Sequence, residues 1–134
     1  MNSEYKVFKF KSDNLDNLND HISIEEPVEI IIKYKDKEIW VEKTISVTMR
    51  TPGDDEDLVR GFLFNEKIIE KIDYIEKIVS SGKPTEQYGL KNKITVTINN
   101  SSNIDIDKIK RNFLTNSSCG VCGKSSLDAL EIIK

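Results

Sequence analysis

Residues 28–34, Val-Glu-Ile-Ile-Ile-Lys-Tyr, and residues 38–43, Glu-Ile-Trp-Val-Glu-Lys, decide the fold of this chain. Both stretches are rich in β-branched and aromatic side chains, and the second alternates between apolar and polar residues. The polar residues 35–37, Lys-Asp-Lys, separate them, so the sequence predicts a β-hairpin. A third apolar stretch, 45–49, predicts a further strand that leads into the turn sequence Thr-Pro-Gly at 51–53.

The clearest helical pattern begins at Asp54. This residue suits the N-cap, and the acidic residues 55–57 suit the positive end of the helix dipole. Apolar side chains then recur with a period near 3.6. The pattern predicts a buried face centred on Leu58, Phe62 and Ile69, with Val59, Leu63 and Glu66 at its edges.

Two further strands and a second helix are predicted after this helix. Residues 72–79 and 93–98 are apolar and alternating, and residues 105–113 have Ile106, Ile109 and Phe113 on one side of a helix. The order strand–strand–helix–strand–strand–helix predicts an α+β fold, a roll of β-grasp type. We therefore divide the chain into three parts: 1–24, an N-terminal arm or short strand; 25–113, the roll; and 114–134, a cysteine loop and the first helix of a second domain.

Composition narrows the class of function. The chain has 134 residues and a formal net charge of -3, which disfavours a nucleic-acid or membrane-surface partner. No apolar run approaches the roughly 20 residues that span a bilayer, and residues 1–13 lack the apolar core of a signal peptide. These features predict a cytoplasmic protein, in a compartment where thiols stay reduced.

Both cysteines lie in the polar stretch 115–124, Thr-Asn-Ser-Ser-Cys-Gly-Val-Cys-Gly-Lys. This composition predicts an exposed loop, and a helical pattern follows it directly. A helix N-terminus favours the thiolate, which is the nucleophilic form of cysteine. Cys119 and Cys122 are therefore predicted to do sulfur chemistry.

The Cys-x-x-Cys spacing leaves several interpretations open. It fits a persulfide carrier, a dithiol redox site, half of a metal site shared by two copies, or incidental loop thiols. A closed zinc site within one chain is disfavoured, because two cysteines and His21 are fewer than four ligands. The βαβ context of a thioredoxin-like redox motif is also missing. No metal site is predicted.

Arg50, just before the Thr-Pro-Gly turn, has two interpretations. It pairs with the acidic residues that follow, or it faces a phosphate or a persulfide. We favour the first slightly and keep the second as a hypothesis.

Three segments together resemble one family, the formate dehydrogenase accessory sulfurtransferases (FdhD). Residues 25–30, Glu-Glu-Pro-Val-Glu-Ile, are similar to its N-terminal strand. The Arg-Thr-Pro-Gly segment with its helix, 49–66, and the segment 111–124 with the cysteine loop follow in the family's order. The resemblance covers most of the chain from Glu25 onward.

The resemblance implies that sulfur from a cysteine desulfurase is held as a persulfide on Cys119 or Cys122. The sulfur then passes to the molybdenum or tungsten bis-pterin guanine dinucleotide cofactor of formate dehydrogenase. That cofactor is a client, and no cofactor held tightly by the protein itself is expected. Expected partners are the desulfurase, the formate dehydrogenase catalytic subunit and a second copy in a homodimer.

Further roles are hypotheses drawn from the residues themselves. Ser118, Gly120 and Gly123 would support the loop and let it move, and Lys124 with Arg50 would lie near the sulfur path as cofactor contacts. The resemblance implies that the second domain would be cytidine-deaminase-like.

Two features depart from the family pattern. Family chains are roughly twice as long, which keeps a non-catalytic docking or dimerisation fragment as an alternative to the sulfurtransferase. The Cys-x-x-Cys spacing keeps a dithiol oxidoreductase as another alternative. In addition, Lys67 follows Glu66 where the family has Gly. Lys67 would either strain the helix cap or let the helix continue to Ile69.

Overall fold

In the computed structural model, the described residues are 2–84, 91–99, 104, 105, 107 and 109. They form a two-stranded ribbon and a four-stranded sheet with one α-helix, a mixed α+β arrangement dominated by strands.

The predicted hairpin is confirmed as β3 (Glu26–Asp36) and β4 (Ile39–Arg50), which pair antiparallel. The turn was predicted at 35–37, but Lys35 and Asp36 continue β3, and the two turn residues are Lys37 and Glu38, with φ of +50° and +65°. Positive φ at both central residues is the mark of a type I′ turn, whose twist matches that of the strands. The predicted third strand is not separate, because residues 45–49 continue β4 past a bulge.

The other half of the sheet is β5 (Ile75–Pro84) and β6 (Lys91–Ile98). The strand order is β4-β3-β6-β5, with β3 and β6 parallel and the outer pairs antiparallel. The predicted strand at 72–79 begins later than expected, because Ile72–Tyr74 form a short 3₁₀ turn. A parallel pair needs a crossover connection, and the helix lies within it.

The helix α1 spans Asp55–Asn65, with Asp54 at the N-cap as predicted. The predicted buried face was right at Ile69, which is buried although it lies beyond the end of α1, but within the helix it was wrong by about one residue. Val59 and Leu63 are fully buried, whereas Leu58 is 37% exposed and Phe62 is only half-buried. The periodicity of Leu58, Val59, Phe62 and Leu63 does not by itself decide which pair faces the sheet. Contacts at the two ends of the helix decide its rotation.

The end of α1 shows what Lys67 does. The backbone N–H of Lys67 donates to Phe64 O (3.0 Å) and that of Ile68 to Leu63 O (2.9 Å). Lys67 has φ +57°, so the three features together form a Schellman cap with a lysine where glycine is preferred. Leu63 and Ile68 both belong to the buried core, which supplies the apolar contact typical of this cap. The helix therefore ends here, and the first of the two alternatives for Lys67 is confirmed.

The N-terminal residues form more structure than the arm or short strand predicted for 1–24. Strands β1 (Asn2–Lys11) and β2 (Asn14–Ser23) pair antiparallel along their whole length. Ser12 and Asp13 connect them with φ of +49° and +67°. The sequence does not predict this ribbon, because its strands are mostly polar and both of its faces are largely exposed.

The core lies between α1 and one face of the sheet. Ile30 is in register with Ile94, and Ile32 with Val96, so the two central strands present these side chains on the same face. Ile109 is also fully buried in this core. Asp107 and Ile109 are helical, in line with the predicted second helix, whose other residues, like residues 114–134, lie outside the described residues.

Candidate functional site

Arg50 is the sequence-predicted site residue that the structure describes, and it lies at a junction of four chain segments. It is the last residue of β4, and its side chain is only 3% exposed. Its neighbours are the beginning of β3, the beginning of β6 and the first turn of α1.

The guanidinium group of Arg50 is bonded on all three nitrogens. Nε donates to Asp55 Oδ1 (2.9 Å) and Nη2 to Asp55 Oδ2 (3.2 Å), the bidentate geometry that arginine favours with a carboxylate. Nη1 donates to the carbonyl oxygen of Glu26 (3.2 Å), and Nη2 also donates to that of Lys91 (3.0 Å). One side chain therefore ties both central strands to the helix.

These bonds hold the turn that connects β4 to α1. Pro52 in this turn is buried, while Thr51 and Gly53 are exposed. Gly53 has φ +141°, a conformation that side-chain-bearing residues rarely adopt. Three residues of the Arg-Thr-Pro-Gly sequence thus have a structural role. Arg50 anchors the turn, Pro52 buries its ring, and Gly53 takes a backbone conformation that other residues rarely adopt.

Of the two interpretations of Arg50, the structure shows the first: Arg50 pairs with an acidic residue that follows it, Asp55. The remaining first-turn acids are also paired, since Glu56 and Asp57 accept from Arg60 at 2.9 and 3.1 Å. Contact between Arg50 and a cofactor stays a prediction that no observation tests.

A second polar cluster lies on the sheet face opposite the core, and sequence reasoning missed it. Glu29 is 3% exposed, although its neighbours in sequence are apolar core residues. Thr44 Oγ1 donates to Glu29 Oε1 (2.6 Å), and Lys93 Nζ lies 3.4 Å from Glu29 Oε2. The cluster joins β4, β3 and β6. The signal in the sequence was a charged residue inside an apolar run, but its partners are far away along the chain.

Glu26 is a further buried carboxylate, 8% exposed, opposite Arg50 in the strand register. Its Oε2 is fully buried and has no hydrogen-bond partner among the residues that the structure describes. In the same part of the chain, no three His, Cys, Asp or Glu side chains converge as metal ligands. No helix in the described ranges is long and apolar enough to cross a membrane.

The loop residues predicted to carry the chemistry lie outside the described residues. They are Cys119, Cys122, Ser118, Gly120, Gly123 and Lys124. The last described residue before them, Ile109, is buried in the core, and its N–H donates to Asp105 O (3.2 Å). The cysteine segment therefore follows a point at which the chain is anchored to the roll.

A profile of the FdhD/NarQ family matches residues 23–134. The chain belongs to this family. The matched segment begins at the last residue of β2 and includes both cysteines. The resemblance found in the sequence is confirmed.

Individual FdhD relatives agree with this assignment. The chain is 34% identical over 129 residues to the "Sulfur carrier protein FdhD" of Sulfurisphaera tokodaii, an alignment that covers 96% of this chain and 44% of that protein. It is 42% identical over 111 residues to the protein of the same name from Picrophilus torridus, covering 83% of this chain and 37% of that protein. The chain thus spans less than half the length of these relatives.

A solved structure shares the fold. It is the crystal structure of a protein described as a formate dehydrogenase accessory protein from Desulfotalea psychrophila. The TM-score is 0.52 with 22% sequence identity, over 76% of this chain and 36% of that one.

Proposed function

We propose that this FdhD-family chain is a sulfur carrier that acts as a sulfurtransferase, with Cys119 and Cys122 as its sulfur-handling residues. The observation that carries the proposal is the family match, which extends through residue 134 and so includes the Cys-x-x-Cys segment. The relatives named sulfur carrier proteins point to the same chemistry.

The loading step that we propose is a thiolate exchange. The thiolate of Cys119 or Cys122 attacks the outer sulfur of a persulfide on a cysteine desulfurase. The S–S bond of the donor breaks, its cysteine leaves as a thiolate, and a new S–S bond forms on this chain. Thiolate fraction and access set the rate of such exchange, so the exposed loop before a helix N-terminus that the sequence predicts would suit it.

For delivery, we propose that the second cysteine supplies the electrons. Its thiolate attacks the inner sulfur of the persulfide, the outer sulfur leaves as sulfide, and Cys119 and Cys122 close a disulfide. The step balances because two thiol sulfurs are oxidised while one sulfane sulfur is reduced. A thiol reductant must then reopen the disulfide before the next cycle.

The proposed client is the molybdenum or tungsten bis-pterin guanine dinucleotide cofactor, which receives the sulfur before it enters formate dehydrogenase in the cytoplasm. The proposed partners are the desulfurase and the formate dehydrogenase catalytic subunit. In this proposal Ser118, Gly120 and Gly123 shape the loop, and Lys124 lies near the sulfur path.

We also propose that the roll is of β-grasp type and that 114–134 begins a cytidine-deaminase-like second domain. The first part is supported by the strand order β4-β3-β6-β5 with a parallel central pair and one helix in the crossover. The second part is supported by the family resemblance.

Loading is tested by incubating the chain with a cysteine desulfurase and cysteine, then measuring intact mass without reductant. We expect a gain of one sulfur atom that is abolished in the Cys119→Ser/Cys122→Ser double variant. The single variants show which cysteine loads first. Ser118→Ala is the matched control, because it alters the loop without removing a thiol and is expected to load.

The alternatives give different results in the same assay. No gain of sulfur with both thiols free contradicts the sulfur-carrier proposal and favours a docking fragment. A disulfide that never loads but exchanges with a thioredoxin-type protein favours the dithiol oxidoreductase.

A further inference from the structure

The sheet face opposite the core carries most of the lysines of the four-stranded sheet, and we call it the lysine face. Along β3 and β6, buried core residues such as Ile32 and Val96 occupy alternate positions, so the residues between them turn to this face. Lys77 of β5 shares the face, because it is in register with Thr97 of β6. The lysines of this face are Lys33, Lys35, Lys77, Lys91 and Lys93.

The lysine face is positively charged, although the chain as a whole is not. Against its lysines, the sheet places the carboxylates of Glu29 and Glu42 on the same face, and Glu42 is in register with Lys33. The whole chain has a formal net charge of -3. Positive charge is therefore concentrated on one surface, which favours an anionic partner there and not elsewhere on the chain.

The charged ends of these lysines are accessible to a partner. Lys77 and Lys91 are exposed. The ammonium groups of Lys33 and Lys35 each lie 3.8 Å from a carboxylate, that of Glu42 and that of Glu38, and both acids are exposed. Exposed ion pairs contribute little to stability, so the carboxylates of a partner can replace them at low cost.

Trp40 brings two of the lysines together on this face. It is in register with Lys35, and the Nζ atoms of Lys35 and Lys33 lie 5.4 and 5.7 Å from the centroid of its ring, within the range of a cation–π contact. Two residues apart on an extended strand, the Cα atoms of the two lysines are separated by about 7 Å. Alternate residues of an extended peptide have the same spacing, so two of its carboxylates can meet both lysines.

We propose that the lysine face docks an extended acidic segment of a partner protein, with alternate carboxylates against Lys33 and Lys35. Single-stranded nucleic acid fits less well, because its bases stack on aromatic rings and the ring of Trp40 is already engaged by two lysines. The net negative charge of the chain also opposes a backbone with a charge at every nucleotide. The proposal is independent of sulfur transfer, because it uses none of the residues proposed to handle sulfur.

The test titrates the whole chain with a short oligoglutamate peptide and follows the fluorescence of Trp40, the one tryptophan in the sequence. We expect saturable binding that weakens as the salt concentration rises. The dissociation constant should be at least ten-fold higher for Lys33→Glu/Lys77→Glu, and Lys33→Gln/Lys77→Gln should weaken binding by a smaller factor. The matched control is Lys6→Glu/Lys9→Glu, which makes the same change of net charge at exposed residues of β1 and should bind within two-fold of the native chain.

Three outcomes would overturn the proposal. In the first, the oligoglutamate peptide does not bind the native chain. In the second, the control variant loses as much affinity as Lys33→Glu/Lys77→Glu while circular dichroism shows both to be folded, which would assign the binding to the charge of the chain as a whole. In the third, an oligouridine RNA of the same net charge binds more tightly than the peptide, which would make the lysine face a nucleic-acid surface.

Discussion

Arg50 and Asp55 hold the beginning of α1 against the end of β4 through two parallel N–H···O bonds of 2.9 and 3.2 Å. Five residues apart in sequence, they enclose the Thr-Pro-Gly turn. Because Arg50 also donates to backbone carbonyls of β3 and β6, the pair sets the position of the helix relative to both central strands.

Replacing Arg50 with lysine should destabilise the protein by about 2–3 kcal/mol. Lysine keeps the charge but lacks the planar fork, so the bidentate contact and the bonds to the carbonyls of Glu26 and Lys91 cannot all be made. Chemical denaturation followed by circular dichroism measures the loss. The control is Arg60→Lys, whose exposed ion pairs with Glu56 and Asp57 are expected to change stability by less than about 0.5 kcal/mol. Equal effects at both positions would contradict the anchoring role of Arg50.

Lys93→Ala should destabilise the protein by about 2–4 kcal/mol, because it removes the cation beside the buried carboxylate of Glu29. Lys33→Ala is the control, since Lys33 and Glu42 form an exposed pair at 3.8 Å. The double variant Glu29→Gln/Lys93→Met should be more stable than Lys93→Ala alone, because it leaves no unpaired charge. If urea denaturation shows no such recovery, Lys93 acts mainly through packing.

Lys67→Gly should stabilise the protein by about 0.5–1 kcal/mol. Glycine removes the cost of a left-handed side-chain-bearing residue at the helix cap, and its greater freedom in the unfolded chain offsets part of this gain. The same substitution at Lys71, where φ is -138°, should be destabilising. Thermal unfolding of the two variants compares them directly, and a loss of stability in both would contradict the Schellman cap.

Substitutions in the turn of the β3–β4 hairpin should also raise the free energy of unfolding. The double variant Lys37→Asn/Glu38→Gly introduces the sequence preferred in type I′ turns and should raise stability by about 1 kcal/mol. The ion pair of Glu38 with Lys35 is long, at 3.8 Å, and the Glu38 side chain is 92% exposed, so little is lost with it. Glu42→Gly, within β4, is the control and should lower the melting temperature.

The central hairpin, the helix and β6 could be predicted because each has a clear local pattern. Residues 28–34 are rich in β-branched side chains, residues 38–43 alternate, and a polar turn separates them, while Asp54 begins a helix in the usual way. The choice of Val59 and Leu63 over Leu58 and Phe62 was not predictable, because the rotation of the helix depends on tertiary contacts at its two ends, among them the bond from Arg50 to Asp55.

The polar clusters were likewise predictable only where their partners are close in the sequence. That Arg50 pairs with a nearby acid follows from a short separation in sequence, but its bond to the carbonyl of Lys91 depends on sheet order. Glu29 and Lys93 meet only because β3 and β6 are parallel neighbours in a specific register. The ribbon β1–β2 was missed because its strands have apolar residues on both faces and so lack the alternation typical of a half-buried strand.

The parallel pairing of β3 with β6 has a consequence for synthesis on the ribosome. β3 begins at Glu26, but its inner neighbour begins only at Lys91. At about 5–20 residues per second, roughly 3–13 seconds separate the translation of these two positions. During that interval one edge of β3 has no partner, and an unpaired strand edge is a template for pairing with other chains.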